Sequence, residues 1–234
     1  MPNAIVTGAT QGIGKAIAEK LLSEDFSIAV CSRNKKKLQL LESEWNEKYP
    51  TASIITYNAD LSNKEEVATF GDAVLSNFTE IDLLANNAGM YLPGTIAEEP
   101  DGLLEAMIGI NLYSAYHLTR KILPVMKKAK AGHIFNTCSV ASLRAYPNGG
   151  SYSISKYALL GFSENLREEL REHNIKVTSI CPGATYTPSW EGSDIEPGRI
   201  MEATDIAAML WSAYKLSSAA NVETIILRPV KGDL

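Results

Sequence analysis

The chain has 234 residues, 45% of them hydrophobic and 21% charged, with a formal net charge of −5. That length suits one large α/β domain or two small ones, and the acidic balance gives no electrostatic reason for a nucleic-acid partner. The longest apolar runs fall far short of a membrane span, and the opening Met1-Pro-Asn-Ala-Ile-Val-Thr-Gly8 lacks the basic stretch of a secretory leader, so no membrane contact and a cytoplasmic location are expected.

The first predicted strand covers 4–7 and runs into Thr7-Gly-Ala-Thr-Gln-Gly-Ile-Gly14, which opens a helix over 12–23. Gly8, Gly12 and Gly14 fall at that junction, with Thr10, Gln11 and Ile13 between them. Glycine there lets the backbone approach a phosphate, and the helix start supplies free N–H groups and partial positive charge. The spacing Gly-x3-Gly-x-Gly differs from the Gly-x-Gly-x2-Gly fingerprint, and a tight turn without ligand fits it too. A strand over 27–31 leads through Cys31-Ser-Arg-Asn34 to a helix over 35–48. A NAD site usually places a carboxylate after this strand to hold the ribose 2′-hydroxyl. Ser32 and Arg33 offer none. The planar fork of Arg33 instead suits a 2′-phosphate, and Ser32 can add a bond, so NADP(H) is preferred over NAD(H). Lys35, Lys36 and Lys37 add positive charge that a solvated helix start explains equally well.

A strand over 53–58 ends at Asn58-Ala-Asp-Leu61, where Asp60 and Ser62 suit a cap before a helix over 64–76. The strand over 83–86 ends in Asn86-Asn-Ala-Gly89, and a helix over 103–121 follows. Pro124 should end or bend that helix near Ile122 and Leu123. After a strand over 133–138 comes Ser139, and thirteen residues later Tyr152-Ser-Ile-Ser-Lys156 opens a helix over 152–172. Tyr and Lys four apart share a helix face, so the ammonium can favour the phenolate of a group that ordinarily titrates near ~10. The spacing alone is chance-prone. A strand over 177–181 precedes Pro182-Gly183 and a Ser, Gly, Asp and Pro-bearing stretch, read as a substrate lid over 188–203. A helix over 204–215 and a strand over 224–227 complete the alternation. Strands rich in Val and Ile on both faces, each followed by a helix, predict a single α/β domain with a parallel sheet covered on both sides. Cys31, Cys138 and Cys181 close apolar runs and match no zinc spacing. They read as buried, reduced thiols, with no metal expected.

The ordered set Thr7-Gly-x3-Gly-x-Gly14, Asn86-Asn-Ala-Gly89, Asn111, Ser139, Tyr152-x3-Lys156 and Pro182-Gly183 resembles the short-chain dehydrogenase/reductase family, in its compact single-domain branch. Each piece is modest; the order is highly specific. The resemblance covers about 4–187 and implies a Rossmann-type doubly wound parallel sheet of about seven strands with helices on both faces. It implies that Asp60 accepts a hydrogen bond from adenine with Leu61 beside the ring, and that Asn86, Ala88 and Gly89 line the cofactor while Asn87 is structural. Ser139 would hold the substrate oxygen, Tyr152 would donate the proton, and Lys156 would bind the nicotinamide ribose and lower the Tyr152 pKa. Asn111 would hold a water linking Lys156 to solvent. Pro182, Gly183, Thr185 and Thr187 would border the nicotinamide. The family's usual Ser-Ser before the catalytic position is Cys138-Ser139 here.

The implied activity is NADP(H)-dependent reduction of a ketone or aldehyde to an alcohol, reversibly. The alternatives are an NAD-dependent alcohol dehydrogenase and a non-catalytic NADP-sensing scaffold. The expected partners are a small carbonyl or alcohol substrate and a second copy, as homodimer or homotetramer through the helices over 103–121 and 152–172. Tyr91, Leu92, Leu143, Arg144, Tyr146, Tyr186, Trp190 and Met201 fall near the expected mouth and do not choose a substrate.

Overall fold

Alternation along the first strand sets the architecture. In β1 (Asn3–Thr7) the side chains of Ala4 and Val6 enter one apolar layer and that of Ile5 enters another, all fully buried. A strand buried on both faces must be covered on both, and the computed structural model of the chain shows that cover. It describes every residue except Glu191, Pro197 and Leu234, with only the backbone at position 189.

The elements alternate along the chain: α1 (Gly12–Leu22), β2 (Ser27–Ser32), α2 (Lys35–Lys48), β3 (Ile54–Asn58), α3 (Lys64–Asn77) and β4 (Leu83–Asn86). Then come α4 (Leu103–Ile108), a π-helical turn (Gly109–Tyr113), α5 (Ser114–Ala129), β5 (His133–Thr137), α6 (Gly150–Leu170), β6 (Lys176–Pro182), α7 (Ala203–Tyr214) and β7 (Thr224–Leu227). The seven strands form one parallel sheet in the order β3-β2-β1-β4-β5-β6-β7. One face is covered by α1, α2 and α7 through Leu21, Trp45 and Leu210; the other by α3, α5 and α6 through Phe70, Leu118 and Leu166. The chain runs outward from β1 to β3 and then returns to β4 on the other side of β1. That reversal opens a crevice at the carboxyl ends of β1 and β4, where doubly wound sheets take ligands. Among the described residues no helix is long and apolar enough to cross a membrane.

The starts of α2 and α3 carry side-chain caps: Asn34 accepts from the Lys37 N–H, and Asn63 from those of Glu65 and Glu66. α1 has no side-chain cap and no acidic residue in its first turn. Its amide end is left facing the crevice.

Pro124 does not end α5, which continues to Ala129. The Arg120 carbonyl, which loses its helix partner to the proline, belongs to an exposed residue, as does Pro124 itself. Leu118, Ile122 and Met126 on the opposite face are fully buried and hold the helix together. The irregularity falls earlier, at the π-helical turn that contains Asn111.

His133 is the one buried imidazole in the sheet. Its ring stacks on Phe135 at 3.8 Å between centroids, and Nε2 lies 2.7 Å from the Thr178 hydroxyl. That hydroxyl donates to the Val222 carbonyl, so Nε2 carries the proton and buried Nδ1 keeps an unpaired lone pair. Burial, reinforced by Lys176, pulls the His133 pKa down to about 3. The folded state therefore keeps His133 neutral, while the unfolded chain protonates it near its ordinary 6.5. This contribution is complete above pH ~6.5 and is lost as pH falls toward 3, at up to about 1.4 kcal/mol per pH unit. Denaturant midpoints measured from pH 7 to 5 should fall less steeply for His133→Gln than for the parent. Parallel slopes would contradict the assignment.

Candidate active site

The crevice begins with a hydroxyl. Thr7, the last residue of β1, accepts the N–H groups of Asn87 and Ala88 on its Oγ1, both at 2.9 Å. Asn87 returns two bonds from Nδ2, to the carbonyls of Thr7 at 3.1 Å and Gly8 at 3.3 Å. Gly14 packs into the same knot: a Cβ there would lie 2.3 Å from the Gly8 oxygen and 2.4 Å from Asn87 Nδ2. Gly8 and Gly12 have φ of +65° and +55°, the left-handed region that glycine alone adopts readily. With Thr10, Gln11 and Ile13, these two glycines form one wall of a cleft of about 1220 Å³. Gly14 is not in that wall; it holds the turn from behind.

At one end the cleft is basic and polar. Ser32 Oγ lies 3.4 Å from the Thr10 hydroxyl, and Arg33 reaches to 4.0 Å from Asp60 while remaining largely exposed. Lys37 donates to Gln11 Oε1 at 2.9 Å, which turns its ammonium toward the same corner. Burial pushes the Asp60 carboxyl up, but the two hydrogen bonds from Ser62 and the Arg33 charge hold it below its ordinary value. Leu61 and Ala88 line the floor beside it.

At the other end lie Ser139, Tyr152 and Lys156. Ser139 follows β5 and starts a short 3-10 turn, with its Oγ accepting the Ala141 N–H at 3.1 Å. Tyr152 sits in the first turn of α6, hydrogen-bonded to Ser139, and Lys156 lies one turn on, 5% exposed. The Lys156 ammonium donates to the Thr137 carbonyl at 2.7 Å and stands 5.9 Å from the centre of the Tyr152 ring. All three residues line the cleft opposite the glycine turn.

The expected lowering of Tyr152 by Lys156 is not what the structure shows. Burial pushes the phenol up to about 12, against the downward pull of the Ser139 bond. Burial also draws the Lys156 ammonium below its usual range. Behind Ser139, the buried thiols of Cys138 and Cys181 share a hydrogen bond that draws Cys138 down and pushes Cys181 up.

Besides Gly14, two expected site residues lie away from the cleft. Asn86 is 4% exposed, and its amide donates to Thr119 at 3.0 Å and to Asn136 at 2.8 Å inside the protein. Strand alternation explains the error, since the neighbouring Asn87 lines the cleft in its place. Asn111 is also buried, and its side chain makes three hydrogen bonds. Oδ1 accepts the Met90 N–H at 2.8 Å; Nδ2 donates to the Met90 carbonyl at 3.1 Å and to Ser155 at 2.8 Å. It clamps the backbone after Gly89, where a Cβ would meet Asn111 Oδ1 at 2.8 Å.

The far wall is made by Pro182, Gly183, Thr185 and Thr187, with Pro188 and Trp190 beyond. Thr185 donates to the Gly183 carbonyl at 3.0 Å, and Thr187 packs against Gly12. Within the expected lid, positions 191 and 197 lie outside the described residues. Tyr91, Arg144 and Tyr146 reach the cleft; Leu92, Leu143, Tyr186 and Met201 do not. Sequence reasoning missed Arg228 and Asp233, an ion pair after β7 that also lines the cleft. Their position past the carboxyl end of a parallel strand was the available signal.

A family model described as short chain dehydrogenase matches residues 2–196. A sepiapterin reductase of Chlorobaculum tepidum is 32% identical over 98% of this chain and 97% of its own length. A metagenomic short-chain oxidoreductase solved in complex with NADP superposes with a TM-score of 0.85 at 30% identity, covering 98% of this chain and 97% of that one. An alcohol dehydrogenase from Thermococcus sibiricus, complexed with 5-hydroxy-NADP, superposes at 0.91 with 26% identity over 98% and 97% of the two chains.

The knot behind the glycine turn is directly testable. Gly14→Ala should destabilise the protein by about 1–3 kcal/mol in denaturant melts, because backbone oxygen and a bonded amide must yield to the new methyl. Unchanged stability would mean that the turn is looser than described.

Proposed function

Since the chain belongs to the short-chain dehydrogenase family, we propose that it is an NADP(H)-dependent oxidoreductase that reduces a ketone or aldehyde to an alcohol, and runs in reverse. The observation that carries this reading is the convergence of Ser139, Tyr152 and Lys156 on one wall of the cleft, facing a glycine turn at an uncapped helix start. The cleft fits a dinucleotide. Its left-handed glycines bring bare backbone to the surface, and α1 presents N–H groups suited to a pyrophosphate. Arg33, Lys37 and Ser32 give a cationic corner suited to a 2′-phosphate, and the NADP named for two of the matched structures supports the same preference.

When bound, the nicotinamide supplies or takes the hydride. This chain's own residues manage the oxygen and its proton. Ser139 orients the carbonyl oxygen and steadies the charge that develops on it. Tyr152 donates its phenolic proton to that oxygen; the phenol is protonated at neutral pH, the form an acid needs. Lys156 holds ribose hydroxyls, and Asn111 fixes Met90 and, through Ser155, the helix that carries both groups. The segment 188–203 serves as the lid at the substrate end.

Purified protein given NADPH and a panel of small ketones, aldehydes and diketones should consume NADPH absorbance. Tyr152→Phe should lower turnover by about a hundredfold to ten-thousandfold while NADPH still binds. Undiminished turnover would overturn the mechanism. Arg33→Ala should raise the KM for NADPH about tenfold while barely changing that for NADH. Equal losses for both would remove Arg33 from the 2′-phosphate site.

A further inference from the structure

The helix that carries Tyr152 starts without a cap of its own. Gly149 precedes it, no side chain of its own accepts from the first turn, and that turn has no acidic residue. The acceptor comes instead from the loop after β4. Glu99 takes the Ser151 N–H on both oxygens, at 2.9 and 3.2 Å, and takes the Ser151 hydroxyl as well. Gly150, with φ of +35°, makes this approach possible: a Cβ there would sit 2.0 Å from Glu99 Oε1 and 2.6 Å from the Gly94 carbonyl. The Gly94 N–H in turn donates to the Asn148 carbonyl at 3.0 Å, so the loop is sewn to the approach of α6 at two points.

The same loop reaches the reacting phenol. Its start is fixed where Asn111 grips Met90, and the next residue, Tyr91, sets its ring edge-on to Tyr152 at 4.8 Å. Tyr91 also hydrogen-bonds Tyr146 on the opposite lip. The loop is thus pinned by Asn111 at Met90 and by Glu99 at Ser151, and Tyr152 lies between those pins. A carboxylate at a helix N-terminus is favoured by charge-assisted bonding and by the helix dipole. Here that favourable contact is made from outside the helix, one residue before the phenol.

We propose that Glu99 is a positioning residue for the reaction: by capping α6 at Ser151 it fixes the Tyr152 phenol and holds the Tyr91 loop against it. This rests on the reading of Tyr152 as proton donor. The test uses the whole protein, NADPH, and whichever small ketone or diketone of the panel it turns over. Glu99→Ala should lower kcat about tenfold or more, with NADPH affinity unchanged within twofold, because the glycine turn and Arg33 lie elsewhere. Glu99→Gln, which keeps an oxygen to accept the Ser151 N–H, should recover most of that loss. A double-mutant cycle of Glu99→Ala with Ser151→Ala should be non-additive in kcat. Independently of turnover, amide exchange over 149–155 in Glu99→Ala should quicken about tenfold, while β1 and α1 remain as protected as in the parent.

An unchanged kcat in a folded Glu99→Ala variant overturns the proposal, as does parallel loss of kcat and NADPH affinity, which would mark general damage. If Tyr152→Phe keeps full turnover, both the proposal and the functional reading fail. If Tyr152→Phe is inactive and Glu99→Ala is not impaired, the proposal alone fails.

Discussion

The close approach of β1 and β4 at their carboxyl ends is the constraint on which the site depends. A parallel sheet gives each strand end a row of backbone groups with no further partner, and at the point of reversal the chain leaves in opposite directions. Thr7 and Asn87 close that gap with four hydrogen bonds between hydroxyl, amide and backbone. With those groups satisfied, the backbone can turn sharply at Gly8 without leaving buried amides unpaired. Gly14 lets α1 lie directly on the knot, because any side chain there would enter the Gly8 carbonyl. The open amide end of α1, the position of Ala88 and the width of the cleft all follow from this packing.

A second polar layer lies beneath the chemistry. Asn86 donates to Asn136, whose amide donates to Ser163 at 2.7 Å, and Ser163 donates to the Leu159 carbonyl at 3.0 Å on α6. This chain of bonds links β4 and β5 to the helix that carries Tyr152 and Lys156. Asn111, Ser155 and Met90 form a parallel link from the π-helical turn. Polar groups buried this deeply are costly unless paired, so each bond made in the native register disfavours a shifted one. Geometry at Tyr152 is therefore fixed from below by amides, from the helix start by Glu99 and from Ser139 in front.

The sheet was legible in the sequence because its strands are buried on both faces: runs such as Ile5-Val6 and Ile28-Ala29-Val30 leave no other period to read. The glycine turn, Arg33, Ser139, Tyr152 and Lys156 were legible because their residue types are costly or unusual where they stand. Asn87 does bond across to backbone as expected, but Asn86 does not line the cleft, for a simple reason. Adjacent strand residues point to opposite faces, and two identical amides give no pattern to decide which faces the crevice. Pro124 does not stop α5 because its missing bond falls on the exposed side of the helix, which local propensity does not encode. Asp233 and Glu99 come from distant parts of the chain, and their neighbours at Gly183 and Ser151 are long-range contacts that no spacing encodes.

Tyr152 shows why proximity of opposite charge does not by itself decide a pKa. Lys156 shares its helix face, as four-residue spacing requires, yet the ammonium is committed to the Thr137 carbonyl, 5.9 Å from the ring centre. Burial acts on the phenolate directly and prevails, with neighbouring Tyr91 and Cys138 adding to the upward shift. The Ser139 bond pulls the other way and is too weak to reverse the sign. A phenol held this way keeps its proton at neutral pH, which suits delivery to a developing alkoxide. Under the proposed function the reverse reaction draws on the phenolate, which positive charge or hydrogen bonds nearer that oxygen would favour. Lys156 carries such a charge on the same helix face, where its ammonium donates to the Thr137 carbonyl at 2.7 Å.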